Sequence, residues 1–412
     1  MYRRVEKFTD VWEAQRTLLS YVKPVQEVEE VNVFEAFGRV AAESVRSPRD
    51  LPAHHSSHMD GFAVSSSSVE KASADNPVRL KVVGECRPGR PPSIKLGPGD
   101  AARILTGGFL PEGADAVVPQ EDVAMEDDVI VVRSPVDKMQ YVDRRGFDVE
   151  AGQELFGKGR VLKASDLVLM ASLGLRAVRV VRRPRLGIMA VGDELTDSFD
   201  EASSGKILNT HSYVVSKLAE ASGAHVVNLG IVPDNPAAIH GKIIEYSGKL
   251  DILVSIAGSS ISERDVSSLT ARSFEVFVHG LTLQPGRVGG FAVVNGTPLV
   301  MLPGLIMSTL NVFMFLAYPC LRRLQGQEPR FYHRRVGARL TERVSFRKFI
   351  DFVKVVWVRL EELEDSLTCK PILGESSGMS IPSRADGFIT APPGVSNIPK
   401  DMDVMVHLPP SL

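Results

Sequence analysis

Four short apolar runs in the second half of the sequence constrain the fold of this chain more than any other feature. They span residues 186–191, 226–231, 252–256 and 298–302. Runs of this length with almost no charge are typical of strands that helices cover on both faces of a parallel sheet. Because open parallel sheets bind ligands at the carboxyl ends of their strands, we expect the functional site where these runs end.

The rest of the chain divides into segments that differ in composition and in the spacing of apolar residues. With 412 residues, 44% of them hydrophobic, it is long enough for two to four domains. Apolar spacing predicts helices at residues 8–22, 31–45 and 164–174, the last of them closed by Gly174. Pro, Gly and Ser are frequent between residues 47 and 145, where short alternating runs predict a small all-β unit.

The carboxyl-terminal part alternates again at residues 352–358 and 403–407, which predicts a β-barrel or sandwich. The formal net charge of -2 gives no general attraction to nucleic acid or to an anionic membrane. Cys86, Cys320 and Cys369 form no CxxC pattern, so we expect free thiols in a reducing cytoplasm. No stretch offers 18 uninterrupted apolar residues, and we expect a cytoplasmic protein without a membrane span.

Acidic and small residues follow the apolar runs. Asp193 and Glu194 come directly after the first run, where two carboxylates are costly unless they are paired or bound to a cation. Asp234 follows the second run. The stretch from Ser255 to Asp265 is rich in serine and can wrap phosphate oxygens with backbone N–H groups, although a serine-rich helix cap would have the same composition.

Two further segments follow in the same part of the chain. Gln284 to Arg287 places a permanent cation on a tight turn, a plausible anion anchor, although single surface arginines are common. Pro303 and Gly304 precede a helical pattern at residues 307–316 and would set the positive end of that helix at the same site.

The small β unit carries its own candidates. Asp60 lies in an Asp-Gly pair, and Thr106 closes a strand with two glycines, so both positions are also compatible with ordinary turns. His54, His55 and His58 could bind zinc together with Asp60. No cysteine or second histidine pair supports that reading, and we expect these histidines to be free of metal.

Taken together, these segments resemble the MoeA family, which includes the carboxyl-terminal domain of gephyrin. The phrases that match occur in the order of the family and cover nearly the whole chain: Phe37-Gly38-Arg39, residues 57–63 around Met59-Asp60-Gly61-Phe62, Leu105-Thr106-Gly107, residues 111–118, residues 144–148, Gly192-Asp193-Glu194-Leu195, Leu302-Pro303-Gly304, and Ser377-Gly378 with Ala385-Asp386-Gly387.

The resemblance implies a multidomain α/β plus β protein with an elongated protomer of four subdomains. The implied boundaries are residues 1–46 together with 146–180 for a linking subdomain, 47–145 for an inserted small β subdomain, 181–326 for a three-layer α/β molybdopterin-binding domain and 327–412 for a β-barrel. The family usually forms homodimers. Its α/β domain is similar to the adenylating partner enzyme of the pathway, and its product serves molybdoenzymes.

The implied activity is insertion of molybdate, or tungstate, into adenylylated molybdopterin with release of AMP, assisted by Mg²⁺. The resemblance places catalytic roles on Asp60, Thr106, Glu194 and Asp265, with Glu194 and Asp265 also as metal ligands. The positions it implies for substrate binding are Ser57, Asp234, Ser255, Gly258, Ser260, Gln284, Arg287, Pro303, Gly304, Ser308 and Ser377.

The departures from the family pattern lie mainly in the α/β part. Residues 256–262 replace two glycines of the family's loop with residues that carry side chains. The family's lysine-rich segment becomes residues 280–287, so three cations become one, Arg287. The family's Asp before Thr or Ser is Asn209, and its Gly-Glu-Asp becomes residues 146–148. A divergent paralogue that binds a pterin, a nucleotide or a partner enzyme without turnover is therefore the alternative.

Overall fold

The computed structural model describes residues 8–257, 274–330, 334–363 and 366–409. These residues separate into two compact units, one made of Glu30–Val180 and the other of the described parts of Met1–Glu29 and Val181–Leu412. The division into four subdomains stays a prediction. Among the described residues, no helix combines the length and the apolar character that crossing a membrane requires.

The helices and strands are numbered in chain order. Up to residue 181 they are α1 Val11–Tyr21, β1 Val28–Asn32, a 3₁₀ turn Val33–Glu35, β2 Val45–Arg46, β3 Ser56–Ser57, β4 Gly61–Val64, α2 Ser66–Val69, β5 Val78–Cys86, β6 Asp100–Ile104, β7 Ala116–Pro119, a 3₁₀ turn Gln120–Asp122, β8 Val123–Glu126, β9 Val129–Val132, β10 Val142–Asp143, β11 Glu154–Phe156, α3 Ala164–Ser172 and β12 Ala177–Val181.

The remaining elements follow the same numbering. They are β13 Arg185–Val191, β14 Leu195–Thr196, α4 Phe199–Ser203, β15 Ile207–Leu208, α5 Thr210–Ala221, β16 His225–Val232, α6 Pro236–Tyr246, β17 Ile252–Ala257, β18 Phe274–His279, β19 Leu283–Gln284, β20 Gly290–Val294, β21 Thr297–Pro303, α7 Ile306–Val312, a π-helical turn Phe313–Ala317, α8 Tyr318–Leu324, β22 Arg334–Leu340, β23 Val344–Ser345, β24 Val353–Leu363, β25 Ser366–Pro371, α9 Ser380–Arg384, β26 Gly387–Ala391, β27 Asn397–Ile398 and β28 Asp403–Leu408.

The predicted α/β sheet is confirmed. Its strand order is β16-β13-β17-β21-β20-β18, and the four apolar runs form the parallel strands β16, β13, β17 and β21. Strands β20 and β18 continue the sheet in antiparallel orientation. Leu186, Ile188 and Val254 are almost fully buried in the core, as expected for strands covered by helices.

Two β-rich structures flank this sheet in the sequence, and both were predicted. In the unit Glu30–Val180, a sheet of order β7-β4-β6-β5-β9-β8 packs around a core that includes Val64, Leu80 and Ile130. In the carboxyl-terminal part, β24, β25, β22, β28 and β26 close into a barrel because β24 also pairs with β26. The alternating polar and apolar residues at 352–358 and 403–407 lie in β24 and β28 of this barrel.

The helix predictions met different outcomes. Helix α1 confirms the first, since Asp10 caps it by accepting hydrogen bonds from the N–H groups of Trp12 and Glu13. Helix α3 confirms the third, which closes at Gly174 with φ of 83°. The helix predicted at residues 31–45 is wrong. The side chain of Asn32 instead starts a single 3₁₀ turn, and the chain reverses at Gly38 with φ of 72°.

Cys86, Cys320 and Cys369 are buried free thiols. Burial raises the pKa of each thiol above its ordinary value, and that of Cys369 rises to about 11. These side chains therefore behave as small apolar groups of the cores that contain them.

Candidate functional site

The carboxyl ends of the parallel strands lie level at one edge of the α/β sheet. Val191 is paired with Val232 on one side and with Ala257 on the other. Ala257 is in turn paired with Pro303, the last residue of β21. The segments that follow these strands therefore begin beside one another, which confirms the prediction that the four runs end at a common edge.

Glu194 is held close to the end of β13. A Cβ atom at Gly192 would lie 2.7 Å from Oε2 of Glu194, so the carboxylate folds back over the glycine. Asp193 and Asp234 form a reciprocal pair at this edge. The carboxylate of each accepts a hydrogen bond from the backbone N–H of the other, at 3.3 to 3.4 Å. All three carboxylates are on exposed residues. The edge thus presents oxygen ligands to solvent, with Glu194 the least committed to protein partners.

The serine-rich segment differs from its prediction where the structure describes it. Ser255 lies within β17, paired with Met189 and Met301, and is 5% exposed. The strand continues to Ala257, so Ser255 is inside the sheet and not at its edge. Gly258, Ser260 and Asp265 lie outside the described residues, and their roles stay predictions.

The start of helix α7 reaches the same edge. Thr309 donates a hydrogen bond from Oγ1 to the carbonyl oxygen of Pro303 at 2.5 Å, which ties the helix to the end of β21. Gly304 and Leu305 connect the two elements, and the side chain of Leu305 provides no cap. Ser308 is buried at 6% exposure, and its substrate-binding role stays a prediction.

A segment of the barrel region joins the edge through α7. The backbone N–H of Met307 donates to the carbonyl oxygen of Ser376 at 3.1 Å. The next residue, Ser377, is exposed. The structure therefore brings Ser377 close to the first turn of α7, and its substrate-binding role stays a prediction.

The turn from Gln284 to Arg287 is attached to the barrel. Gln284 pairs in parallel with Lys354 of β24, and its Oε1 is buried with no hydrogen-bond partner among the described residues. Arg287 is exposed, and its guanidinium carbon lies 4.9 Å from the ring centroid of Phe349. The cation predicted on this turn is therefore accessible, and it is stacked on an aromatic ring.

A buried relay also supports this turn. The indole Nε1–H of Trp357 donates to Oδ1 of Asn311 at 3.1 Å, and Nδ2 of Asn311 donates to the carbonyl oxygen of Pro285 at 3.0 Å. Asn311 is 1% exposed and Trp357 is 2% exposed. A strand of the barrel, helix α7 and the turn are thus joined by two hydrogen bonds, of which the one between Trp357 and Asn311 is fully buried.

In the unit Glu30–Val180, the two candidates Asp60 and Thr106 come together. Oδ1 of Asp60 accepts hydrogen bonds from the backbone N–H and from the hydroxyl of Thr106, both at 2.8 Å. These bonds hold the pKa of the Asp60 carboxyl below its ordinary value, the backbone N–H having the larger effect. Asp60 is exposed and ionised at neutral pH, and no described residue bonds its Oδ2.

Neighbouring residues fix this arrangement. Ser57 is 1% exposed, and its hydroxyl donates to the carbonyl oxygen of Met59 at 2.5 Å, so the side chain orders the loop before Asp60. The backbone N–H of Gly107 donates to the carbonyl oxygen of Ser57 at 2.8 Å. A Cβ at Gly61 would lie 2.2 Å from the carbonyl oxygen of Val118, so only glycine fits directly after Asp60.

The three histidines of this loop each have a separate protein neighbour. His55 accepts a hydrogen bond at Nδ1 from the backbone N–H of Arg145 at 3.1 Å, and Nδ1 of His58 lies 3.2 Å from Asp143. The ring of His54 packs against Phe109. Within the described part of the chain, no three His, Cys, Asp or Glu side chains converge as metal ligands would.

Sequence reasoning missed Asn311, Phe349, Lys354 and Trp357. Each of these residues contacts a residue at least 26 positions away in the sequence. Lys354 did carry a signal, because a lysine at the centre of an apolar alternating strand must bury its stem or its charge. Nothing in the sequence assigned that charge to the turn at residues 284–287.

Comparison with known proteins gives consistent results over both units. A family model described as the MoeA N-terminal region (domain I and II) matches residues 9–174, and one described as a probable molybdopterin binding domain matches residues 187–323. The molybdopterin molybdenumtransferase of Haemophilus influenzae is 31% identical over 77% of this chain and 78% of its own length. That of Bacillus subtilis is 30% identical over 93% of this chain and 90% of its own.

A solved structure agrees with the sequence relatives. The crystal structure of a molybdopterin biosynthesis MoeA protein from Pyrococcus horikoshii superposes with a TM-score of 0.83 at 30% identity. It covers 98% of this chain and 99% of the solved chain.

Proposed function

Because the chain belongs to the MoeA family of molybdenum-cofactor biosynthesis proteins, we propose that it inserts molybdate into adenylylated molybdopterin and releases AMP. The observation that carries the proposal is the level edge of the α/β sheet, where Glu194, Asp234 and the start of α7 follow neighbouring parallel strands. Such an edge offers carboxylate oxygens to a cation and backbone N–H groups to an anion.

The oxygen donors at this edge fit Mg²⁺, which prefers carboxylate and water ligands and tolerates an incomplete protein cage. We propose that Glu194 holds the ion together with Asp265. Asp193 and Asp234 are the weaker candidates, because each already accepts a hydrogen bond from the other's backbone. When bound, Mg²⁺ would offset the charge of the phosphate groups and polarise their oxygens.

The remaining candidate residues bind and orient the anionic substrates. Arg287 supplies a permanent positive charge for the molybdate dianion or for a phosphate. The positive end of α7 adds backbone N–H groups after Gly304, and Ser377 lies beside them. Asp60, ionised and held by Thr106, offers its Oδ2 as a hydrogen-bond acceptor. In this proposal the protein works as a homodimer, takes adenylylated molybdopterin from the adenylating partner enzyme and supplies molybdoenzymes.

The test of the metal assignment is Glu194→Gln, which keeps the size of the side chain and removes its charge. Mg²⁺-dependent AMP release should be abolished while the thermal unfolding midpoint stays near the wild-type value, because the residue is exposed. Asp200→Asn, an exposed carboxylate on α4, is the matched control and should keep full activity. Wild-type turnover in the Glu194→Gln protein would reject the assignment.

The rival function is a non-catalytic paralogue that binds a pterin or a nucleotide. The altered turn favours it, since Gln284 stands where the family has a lysine and leaves Arg287 as the cation of that segment. Arg287→Ala should weaken ligand binding by about 2 kcal/mol and lower its salt sensitivity, and Gln284→Lys should strengthen binding or turnover. No AMP release from the wild type or from Gln284→Lys, in an assay where an ordinary family member works, would leave only the paralogue.

A further inference from the structure

The exposed cation of the turn is restrained by the barrel. A free surface arginine samples many rotamers and loses that freedom when it binds an anion. Arg287 instead lies over the ring of Phe349 at 4.9 Å, a contact that restricts the plane and direction of its guanidinium. The ring must itself be fixed for this restraint to matter.

Phe349 is fixed by a buried lysine. Nζ of Lys354 donates to the carbonyl oxygen of Lys348 at 2.7 Å, and that carbonyl belongs to the peptide group that leads into Phe349. The backbone there is unusual, since Phe349 has φ of 54°, a conformation that non-glycine residues adopt only when their surroundings impose it. Nζ also lies 5.8 Å from the ring of Phe349.

The ammonium group has few alternatives to these contacts. Lys354 is 2% exposed, and its Nζ also lies over the rings of Phe346 and Phe352, at 5.8 and 6.0 Å. Burial lowers the pKa of Lys354 below its ordinary value, in agreement with an ammonium group enclosed mainly by apolar atoms. Aromatic faces, one carbonyl oxygen and the nearby negative charge of Asp351 thus stabilise the ammonium group in place of water.

Strand β24 carries both ends of this arrangement. Leu283 and Gln284 pair with Val353 and Lys354, and the backbone N–H of Val353 donates to the carbonyl oxygen of Thr282 at 2.9 Å. The strand that supplies the lysine is therefore also the strand that aligns the chain leading to Arg287. Arg287 and the ring of Phe349 are therefore both held in place through strand β24.

We infer that Phe349 and Lys354 are positioning residues for Arg287, so that the barrel sets the direction of the cation that meets the oxyanion. The inference rests on the proposed function, because it takes Arg287 as an anion-binding residue. Phe349 acts by stacking on the guanidinium. Lys354 acts by fixing the backbone at residues 348–349. The turn thereby compensates for the one cation left in residues 280–287 by ordering that cation before the ligand arrives.

The first measurement needs no ligand. The Nε–Hε signal of Arg287, assigned by its loss in Arg287→Ala, should report an ordered side chain in ¹⁵N relaxation of the full-length protein. In Phe349→Leu the same signal should report a disordered Arg287 side chain. In Phe349→Tyr, which keeps the aromatic ring, the side chain should stay ordered. Phe34→Leu is the matched control, because it removes an exposed ring and leaves the rings beside Arg287 and Lys354 in place. Unchanged order in Phe349→Leu overturns the inference.

The second measurement is calorimetric titration with sodium molybdate and, separately, with inorganic pyrophosphate. Phe349→Leu should weaken binding about three- to tenfold, because Arg287 would then lose its rotamer freedom on binding, and the change should have no further effect in an Arg287→Ala background. Phe34→Leu should stay within about twofold of wild type. Equal affinity in Phe349→Leu, or an effect that persists without Arg287, overturns the inference. If the wild type binds neither anion, the proposed function fails, and the relaxation data still decide whether Phe349 orders Arg287.

Discussion

Replacement of Asn311 by leucine tests the buried relay beneath the turn at residues 284–287. The substitution keeps the branched shape of asparagine with a larger volume and removes both hydrogen bonds, so Nε1–H of Trp357 and the carbonyl oxygen of Pro285 lose their partner. A buried group left without a partner costs about 1 to 3 kcal/mol. Trp357 is 2% exposed and bears the full cost, whereas Pro285 is half-buried and can recruit water. We expect a loss of about 2 to 4 kcal/mol.

The assay combines urea unfolding, followed by circular dichroism, with hydrogen exchange at the indole nitrogens. The chain has two tryptophans, so the slowly exchanging indole signal of Trp357 is readily assigned with Trp12→Phe. Asn311→Leu should speed this exchange strongly. The double change Trp357→Phe with Asn311→Leu should lower the free energy of unfolding by about 1 to 2 kcal/mol less than the sum of the two single changes. The reason is that both single changes break the same hydrogen bond. A loss below about 1 kcal/mol from Asn311→Leu, with indole exchange unchanged, would refute the relay.

Three other expectations concern separate parts of the molecule. Gly192→Ala should push the carboxylate of Glu194 out of its present position, since the new Cβ would meet it at 2.7 Å, and AMP release should fall more than tenfold while far-ultraviolet dichroism is unchanged. Thr106→Val should raise the pKa of Asp60 toward the ordinary value, measurable by carboxyl-carbon NMR, and Thr106→Ser should not. Burial, and then a nearby arginine, lower the pKa of His407 to about 4. The unfolded state therefore binds a proton first as pH falls below about 6.5, and stability should decline by about 2 to 3 kcal/mol between pH 7 and pH 4 relative to His407→Phe in urea titrations.

The sequence specified the parallel sheet well because its signal is local. A buried parallel strand must be apolar at successive positions, and residues 186–191, 226–231, 252–256 and 298–302 meet that requirement without reference to any partner. The level ends of the strands then follow from parallel pairing alone. The hydrogen bonds between Asp60 and Thr106 were not predicted from the sequence, since each residue lies in a turn that ordinary loops also use.

Other features depend on contacts that no local pattern contains. The apolar spacing of residues 31–45 indicated a helix, yet the side chain of Asn32 bonds the backbone two residues on, and Gly38 reverses the chain. Ser255 was grouped with the serine-rich segment although it belongs to the apolar run at residues 252–256, and the structure extends that strand to Ala257. The support of Arg287 by Phe349 requires a loop of the barrel to fold back onto the α/β part, which tertiary packing decides.

The most direct test of the proposed transferase activity is a single-turnover measurement of AMP. Protein in excess over adenylylated molybdopterin is mixed with Mg²⁺, with and without molybdate, and AMP is quantified by chromatography at intervals. The proposal predicts that close to one AMP is released per adenylylated molybdopterin when molybdate is present, and that Glu194→Gln releases almost none. Tight binding of adenylylated molybdopterin with no AMP formed in the presence of molybdate would contradict it.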